Sequence, residues 1–233
     1  TCVPDAPNPD VRHCSKRTYL AALMLEMIHT ASLIHDDVLD SADERRRYIN
    51  SFISQLDKSY LDAAMRYNTA LANRNSYLKV GSDEEMLSIY DAQMAPVAAK
   101  IHQARLEITE LLYPLVCEYY RALSDDHEQV ELEYRSELNN ATLEELLLAS
   151  RERDRVMGYT TCGVQRDDLR FSIGGYPLRK YGSQGQQKSF LLALKLAQYT
   201  LLYERLGERP LLLLDDLFDK LGSERVERIM QLV

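Results

Sequence analysis

The last third of the chain pairs a helix start rich in small and amide residues with an apolar strand that ends in two carboxylates. The helix start is residues 181–189, with the sequence YGSQGQQKS, and it leads into a helical run to residue 206. The strand is residues 210–216, with the sequence PLLLLDD. The helix and loop between them, residues 190–209, have the length of a crossover that returns the chain to a sheet. The run of leucines predicts a strand buried on both faces, as in an α/β fold.

These two segments carry the residue types that phosphate and magnesium chemistry requires. Small residues at a helix start let backbone N–H groups approach an anion closely, and the helix dipole favours negative charge there. Of two carboxylates at a strand tip, one can hold Mg²⁺ while its neighbour polarises an attacking water. Each segment alone is also typical of a plain turn or a capped strand. Their combination in this order is much rarer, and it favours the functional interpretation.

A long helical region precedes these segments. Apolar residues at helical spacing predict helices over residues 18–39, 45–79 and 84–123, the last interrupted near Pro96 and Pro114. Because residues 80–83 have the composition of a turn, the second and third helices predict an antiparallel helical arm.

Mixed structure is predicted after the arm. Apolar and charged residues alternate over 129–138, which predicts a strand. Residues 160–180 have strand character, with Gly174 and Gly175 as a hairpin turn, since paired glycines supply the positive φ that tight turns need. The periodicity also predicts helices over 143–155 and 223–233.

Composition narrows the functional classes. The net charge is −8, so contact with nucleic acid requires a local cluster of Lys and Arg or a partner subunit. The four cysteines lack a CxxC pair or metal-ligand spacing, which argues against a zinc site and fits a reducing compartment. No apolar run approaches the roughly 20 residues of a membrane helix. We therefore expect a cytoplasmic protein with no membrane partner.

Three stretches resemble the RecF family of DNA repair ATPases. They are the signature-like SQGQQKS at 183–189, the tract GVQRDDLRF at 163–171, and ERRRYINSFISQLD at 44–57. The resemblance covers residues 44–233. It implies an α/β fold with a large helical arm at 44–127, and a partial ABC-type ATPase head at 128–233 that lacks its N-terminal lobe.

The resemblance also implies roles for individual residues. Ser183 and Gly185 would contact the γ-phosphate of ATP bound to the opposite subunit of a head-to-head homodimer. The same surface would be shaped by Gln184, Gln186, Gln187 and Lys188. The strand at 210–216 would be the Walker B motif of the ATPase. In it, Asp215 would support Mg²⁺ and Asp216 would act as the general base or orient the attacking water. The implied partners are single-stranded or gapped duplex DNA and recombination mediator proteins.

The chain departs from the family pattern in informative ways. It contains no GxxxxGK[ST] loop, which is the element that cradles the nucleotide phosphates. Gln165 stands where the family often has His, and Gly222 where it often has Asp. We therefore expect that this chain alone neither binds ATP tightly nor hydrolyses it.

The N-terminal segment, 1–43, indicates something different. Residues 18–46 contain EMIHTASLIHDDVLD and two arginines, and they resemble the first aspartate-rich motif of trans-isoprenyl diphosphate synthases. On a helix, Asp36, Asp37 and Asp40 would share one face. The resemblance implies that they bind Mg²⁺ bridged to a diphosphate, with Arg45 and Arg46 as diphosphate ligands. The second aspartate-rich motif of that family is absent from the sequence.

Three hypotheses for the function follow. The leading one is a fragment of a RecF-like recombination and repair ATPase that dimerises with ATP and binds gapped DNA. The alternatives are a fragment of a prenyl-transferring synthase and a non-catalytic dimerisation module that uses the arm alone. Arg66, Arg74 and Lys79 on the arm are candidate DNA contacts.

Overall fold

The computed structural model describes residues 38–81, 83–124 and 128–207. Most of these residues are helical. The helices are α1 (Ala42–Leu56), α2 (Lys58–Val80), α3 (Glu84–Leu123), α4 (Leu143–Met157), α5 (Leu178–Tyr181) and α6 (Gln184–Leu206). The strands are β1 (Val130–Arg135), β2 (Asp168–Ile173) and β3 (Tyr176–Pro177). The predicted helix over 223–233, the predicted strand over 210–216 and residues 18–37 of the predicted helix over 18–39 lie outside the described residues. Residues 38 and 39 lie in a turn.

The 40-residue helix α3 forms the axis of the described fold. It packs against α2 on one side and α6 on another, and it also contacts β1 and α4. Its buried side chains include Met94, Ile101, Leu112 and Val116, which recur at helical spacing along the helix. This stripe lets a single helix contribute to the core along much of its length.

The predicted interruption of this helix near its prolines is wrong. Pro96 and Pro114 lie inside a continuous α3. A proline removes the hydrogen bond to the carbonyl four residues earlier, here those of Ala92 and Glu110. Both prolines and both of those residues are exposed, so water can satisfy the freed carbonyls while the opposite face keeps its packing.

The predicted helix over 45–79 is instead two helices that meet at Asp57. The Asp57 backbone N–H donates to the Ile53 carbonyl at 2.8 Å and closes α1. Its carboxylate accepts from the Ser59 N–H at 2.7 Å and starts α2. Aspartate is a strong helix N-cap because its side chain satisfies an otherwise unpaired amide. The capping preference therefore prevails over the continuous apolar periodicity.

The three strands form an antiparallel sheet in the order β1-β2-β3. Leu132 of β1 pairs with Phe171 of β2, and buried and exposed residues alternate strictly along β1. The turn from β2 to β3 is Gly174-Gly175, with φ of 53° and 79°. The glycine hairpin and the helix over 143–155 are confirmed. The strand predicted over 129–138 is confirmed at 130–135, whereas Glu137–Asn139 form a short 3-10 helix. Of residues 160–180, however, only β2 and β3 are strand.

A buried ionic cluster ties α2 and α3 to α4. Arg74 is fully buried. Its Nε donates to Asp91 at 2.8 Å, and its Nη1 donates to Asp154 at 2.7 Å and to the Thr160 hydroxyl at 2.8 Å. Arg151 on α4 also pairs with Asp91. Because every charge in the cluster has an opposite partner, the cost of removing the charges from water is offset.

The position of Arg74 in this cluster distinguishes it from the other two candidate DNA contacts on the arm. Arg74 is enclosed by carboxylates, so the prediction that it contacts DNA is wrong. Arg66 and Lys79 are exposed on α2, and for them the prediction stays a prediction. Among the described residues, no helix is long and apolar enough to cross a membrane.

We expect Arg74→Ala to lower the free energy of unfolding by about 3–5 kcal/mol, because it leaves buried carboxylates without their cation. Urea unfolding followed by circular dichroism measures the change. Arg66→Ala on the exposed face of α2 is the matched control and should leave the unfolding midpoint unchanged. Equal effects of the two substitutions would contradict the structural role of Arg74.

Candidate functional site

The signature-like segment forms the start of α6. Ser183 is the N-cap residue, and its hydroxyl accepts from the Gln186 N–H at 3.2 Å. The Gln186 side chain returns the interaction by accepting from the Ser183 N–H at 2.6 Å. This reciprocal pair is a capping box, which holds the first turn of a helix in place. The helix therefore begins at Gln184, inside the predicted helix start at 181–189.

Two glutamine side chains anchor this start to the rest of the fold. Gln187 donates to the Gly182 carbonyl at 2.9 Å and accepts from Arg179 at 3.3 Å. Gln186 donates to the carboxylate of Glu128, just before β1. Gln186 and Gln187, like Ser183, thus position the segment through hydrogen bonds within the chain.

Of the six predicted contact residues, four are exposed to solvent: Ser183, Gln184, Gly185 and Lys188. The first amides of an α-helix have no acceptor within the helix. Ser183 takes up the Gln186 amide, and no acceptor for the N–H groups of Gln184 and Gly185 lies in the described part of the chain. The segment presents two unpaired donors beside small side chains, which is an arrangement suited to an anion.

The two glycines of the segment have different surroundings. A Cβ on Gly182 would lie 2.7 Å from the Leu178 carbonyl oxygen and 2.8 Å from its Cδ1, so the chain's own packing requires glycine there. A Cβ on Gly185 would meet only the Ser183 hydroxyl, at 3.9 Å. Glycine inside a helix costs about 1 kcal/mol relative to alanine. Nothing in the described packing explains that cost at Gly185.

The residues predicted to bind diphosphate are paired within the chain. Asp40 forms an exposed ion pair with Arg179 at 2.7 Å. Arg45 donates two hydrogen bonds to the carboxylate of Asp168, at 2.7 and 2.9 Å. Arg46 donates to the Asp167 carbonyl at 2.7 Å and pairs with Asp43. The structure therefore brings these residues to the tract 163–171 and to α5.

The remaining predicted metal and catalytic residues, Asp36, Asp37, Asp215 and Asp216, lie outside the described residues. Within the described ranges, no group of three or more His, Cys, Asp or Glu residues is placed to hold a metal ion. The metal roles of these four residues stay predictions.

Sequence reasoning missed a second buried cluster beneath the tract 163–171. Arg105 donates to Asp167 at 2.7 Å, to the Val164 carbonyl at 2.8 Å and to the Tyr60 hydroxyl at 3.2 Å. The Tyr134 hydroxyl also donates to Asp167. Burial raises the pKa of Asp167, and Arg105 opposes that shift. Burial likewise raises the pKa of Tyr134, which keeps its hydroxyl protonated as a donor.

The DNA replication and repair protein RecF of Parabacteroides distasonis is 42% identical over 216 residues, which is 92% of this chain and 59% of that protein. RecF of Bacteroides thetaiotaomicron is 45% identical over 199 residues, covering 84% and 54%. Over most of its length, the chain resembles RecF. The predicted resemblance is confirmed, and the chain spans between 54% and 59% of the length of these two RecF relatives.

Solved structures give the same result for the fold. The structure of the recombination mediator protein RecF with ATP, in the RecFOR pathway, superposes with a TM-score of 0.77 at 32% identity. The match covers 85% of this chain and 56% of that RecF chain. The described helices and small sheet therefore have the fold of part of RecF.

A second family matches the N-terminal region. The family model for polyprenyl synthetase matches residues 9–103. This confirms the predicted second resemblance and extends it beyond its predicted end at residue 46. The match reaches through α1 and α2 into α3, so it overlaps the RecF-like part of the chain.

We expect Gly182→Ala and Gly185→Ala to change stability in opposite directions. The first should lower the free energy of unfolding by about 1–3 kcal/mol, because its methyl group has no room beside Leu178. The second should raise it by up to about 1 kcal/mol, because alanine favours a helix and the space is open. Thermal unfolding of both variants against the unchanged chain measures the difference. Destabilisation by Gly185→Ala would show that its surroundings are not open.

Proposed function

We propose that this chain supplies the signature surface of a RecF-like ATPase, which closes over ATP held by a second subunit. The observation that carries the proposal is the exposed start of α6, where Gln184 and Gly185 offer two unpaired amides. The capping box at Ser183 holds these donors in place before any ligand arrives. Preorganised donors bind an anion at a lower entropic cost than flexible ones.

The electrostatics of the segment support an anionic ligand. The N-terminus of α6 carries the positive end of the helix dipole. Lys188 lies exposed in the first turns, and the first turn of α6 contains no acidic residue. A terminal phosphate would therefore meet no carboxylate of the first turn itself, although the Glu128 carboxylate accepts from Gln186 beside it. Glycine at 185 fits this role, since a bare Cα permits the closest approach of backbone to phosphate.

In this proposal, Ser183 and Gly185 contact the γ-phosphate, and Gln184 and Lys188 flank it. Asp215 supports Mg²⁺, and Asp216 acts as the general base or orients the water. When bound, Mg²⁺ would neutralise charge on the phosphates. The chain itself contributes the positioned amides and the surface that excludes water.

The wider proposal concerns partners. The relatives are named DNA replication and repair proteins, and the RecF of the similar solved structure is described as a recombination mediator protein. We propose that this chain acts in the cytoplasm as part of an ATP-dependent head-to-head dimer on single-stranded or gapped DNA. Recombination mediator proteins would be its further partners. In this arrangement, ATP would be held by the other subunit.

The test is sedimentation of this chain mixed with a RecF head that carries its own phosphate-binding loop, with and without Mg-ATP. We expect ATP-dependent pairing, and we expect Gln184→Glu to weaken it roughly tenfold or more, through repulsion between its carboxylate and the phosphate. Acidic residues favour a helix start, so this variant keeps its fold. Gln93→Glu, an equivalent change on the exposed face of α3, is the matched control.

A second variant, Gly185→Arg, fills the surface sterically and leaves the Ser183 capping box intact, with Ala72→Arg on the exposed face of α2 as its control. Pairing that requires ATP, persists in both controls and is lost in both variants of the signature-like segment would support the proposal. Pairing without nucleotide that all four variants retain would instead support the dimerisation module. No pairing by the unchanged chain would overturn the proposed function.

The match to polyprenyl synthetase favours a second candidate function, binding of a diphosphate through Mg²⁺. Its test is titration of the chain with inorganic diphosphate and Mg²⁺, followed by calorimetry. Binding that needs Mg²⁺ and is lost in Asp36→Asn would support this candidate. Binding that is unchanged in this variant would show that the aspartate-rich motif is not the diphosphate site.

A further inference from the structure

Two adjoining cavities form a solvent-open groove beside the tract 163–171. Their volumes are about 440 and 510 Å³, and both are lined by Asp43, Arg46 and Gln165. One wall is the start of α1, the floor is α2, and the other wall is the loop from Tyr159 to Arg166. We name this feature the arginine groove, after Arg46, Arg47 and Arg166 on its two walls. It shares no lining residue with the signature-like segment.

The loop wall presents a stacked cation. The guanidinium of Arg166 lies over the ring of half-buried Tyr159, 5.6 Å from its centre. Arg166 is exposed and has no ion pair with any described carboxylate. A planar guanidinium held on an aromatic ring can pair with phosphate, and its free face can stack on a base.

The opposite wall holds two arginines whose ion pairs are weak, so their acidic partners compete poorly with a phosphate. Arg46 pairs with Asp43, and Arg47 pairs with Glu44, each three residues apart on α1. Pairs of this kind contribute only a few tenths of a kcal/mol. Arg46 is also fixed by its bond to the Asp167 carbonyl at 2.7 Å. A phosphate can therefore displace the acidic partner while Arg46 stays aimed at the groove.

The floor adds neutral polar groups. Asn68 on α2 is exposed in the groove, and no hydrogen bond joins its amide to another described residue. Buried Arg105 also reaches the groove, but Asp167 compensates its charge. Asp43 is the one acidic residue among those that line the two cavities. The groove is thus locally basic on a chain whose net charge is −8.

We propose that the arginine groove binds the backbone of a single-stranded nucleic acid, with a base stacked against Tyr159 and Arg166. Arg46 and Arg47 on one wall and Arg166 on the other offer several guanidinium groups to a chain of phosphates. Stacking on a π-face tolerates any base, and it requires that the base be unpaired. The inference names a surface for the DNA contact in the proposed function, but it does not depend on ATP-dependent pairing.

The test is fluorescence anisotropy of a labelled oligothymidylate of about 20 nucleotides with the full chain and no nucleotide. We expect binding at low salt that weakens steadily as salt rises, because phosphate contacts release counterions. We expect Arg166→Ala and Tyr159→Ala each to weaken binding at least about fivefold, and Tyr159→Phe to retain it, because the ring supplies the stacking. Arg170→Ala, on the exposed face of β2, is the charge-matched control and should bind normally.

A second pair of variants keeps the test independent of folding. Asn68→Asp places a negative charge in the groove and should weaken binding, whereas Asn73→Asp on another exposed face of α2 should not. Equal losses in both members of either pair would mean diffuse electrostatic attraction and would overturn the proposal. So would the absence of oligothymidylate binding, or its displacement by inorganic phosphate at the same phosphate concentration. If ATP-dependent pairing fails while these results hold, the groove stands without the proposed ATPase role.

Discussion

The guanidinium of Arg74 is the centre on which the described fold depends. It bridges Asp91 of α3 and Asp154 of α4 from its place in α2, so three helices meet at one buried charge. An unpaired ion there would be severely unfavourable, which means that the helices can pack only in a register that presents both carboxylates. Asp154 adds a further constraint by accepting from the Thr161 N–H at 2.8 Å. The loop that forms one wall of the arginine groove is thereby fixed by the same charge.

Sequence patterns predicted the elements whose signals are local. The glycine pair, the alternation in β1 and the apolar stripe of α3 each depend on residues close together in the chain, and each is confirmed. The prediction failed where a distant residue decides the outcome. Arg74 has the sequence of a solvated helix face, and only the carboxylates 17 and 80 residues away make it a core residue. The prediction that prolines interrupt α3 was wrong for a related reason. Whether a proline is tolerated depends on its exposure to water, which tertiary packing determines.

Residues of the signature-like segment have two different roles, which the sequence alone could not distinguish. Its pattern of serine, glutamines and glycines marked it correctly as a helix start. The structure separates residues that hold the segment, such as Gln186 and Gln187, from those that it presents to solvent. Hydrogen bonds to Glu128 and to the Gly182 carbonyl make that separation. Asp167 was missed as a structural residue because its partners, Arg105 and Tyr134, come from α3 and β1.

The continuity of α3 has a consequence for how the parts of the molecule are spaced. At 1.5 Å per residue, a helix of 40 residues measures about 60 Å. Glu84 in its first turn pairs with Arg151 and Arg155 of α4, and Cys117 near its other end contacts the Val130 carbonyl of β1 at 3.5 Å. The continuous helix therefore fixes the distance between the outer end of the arm and the sheet. Inserting or deleting residues between these points would rotate every later side chain by about 100° per residue.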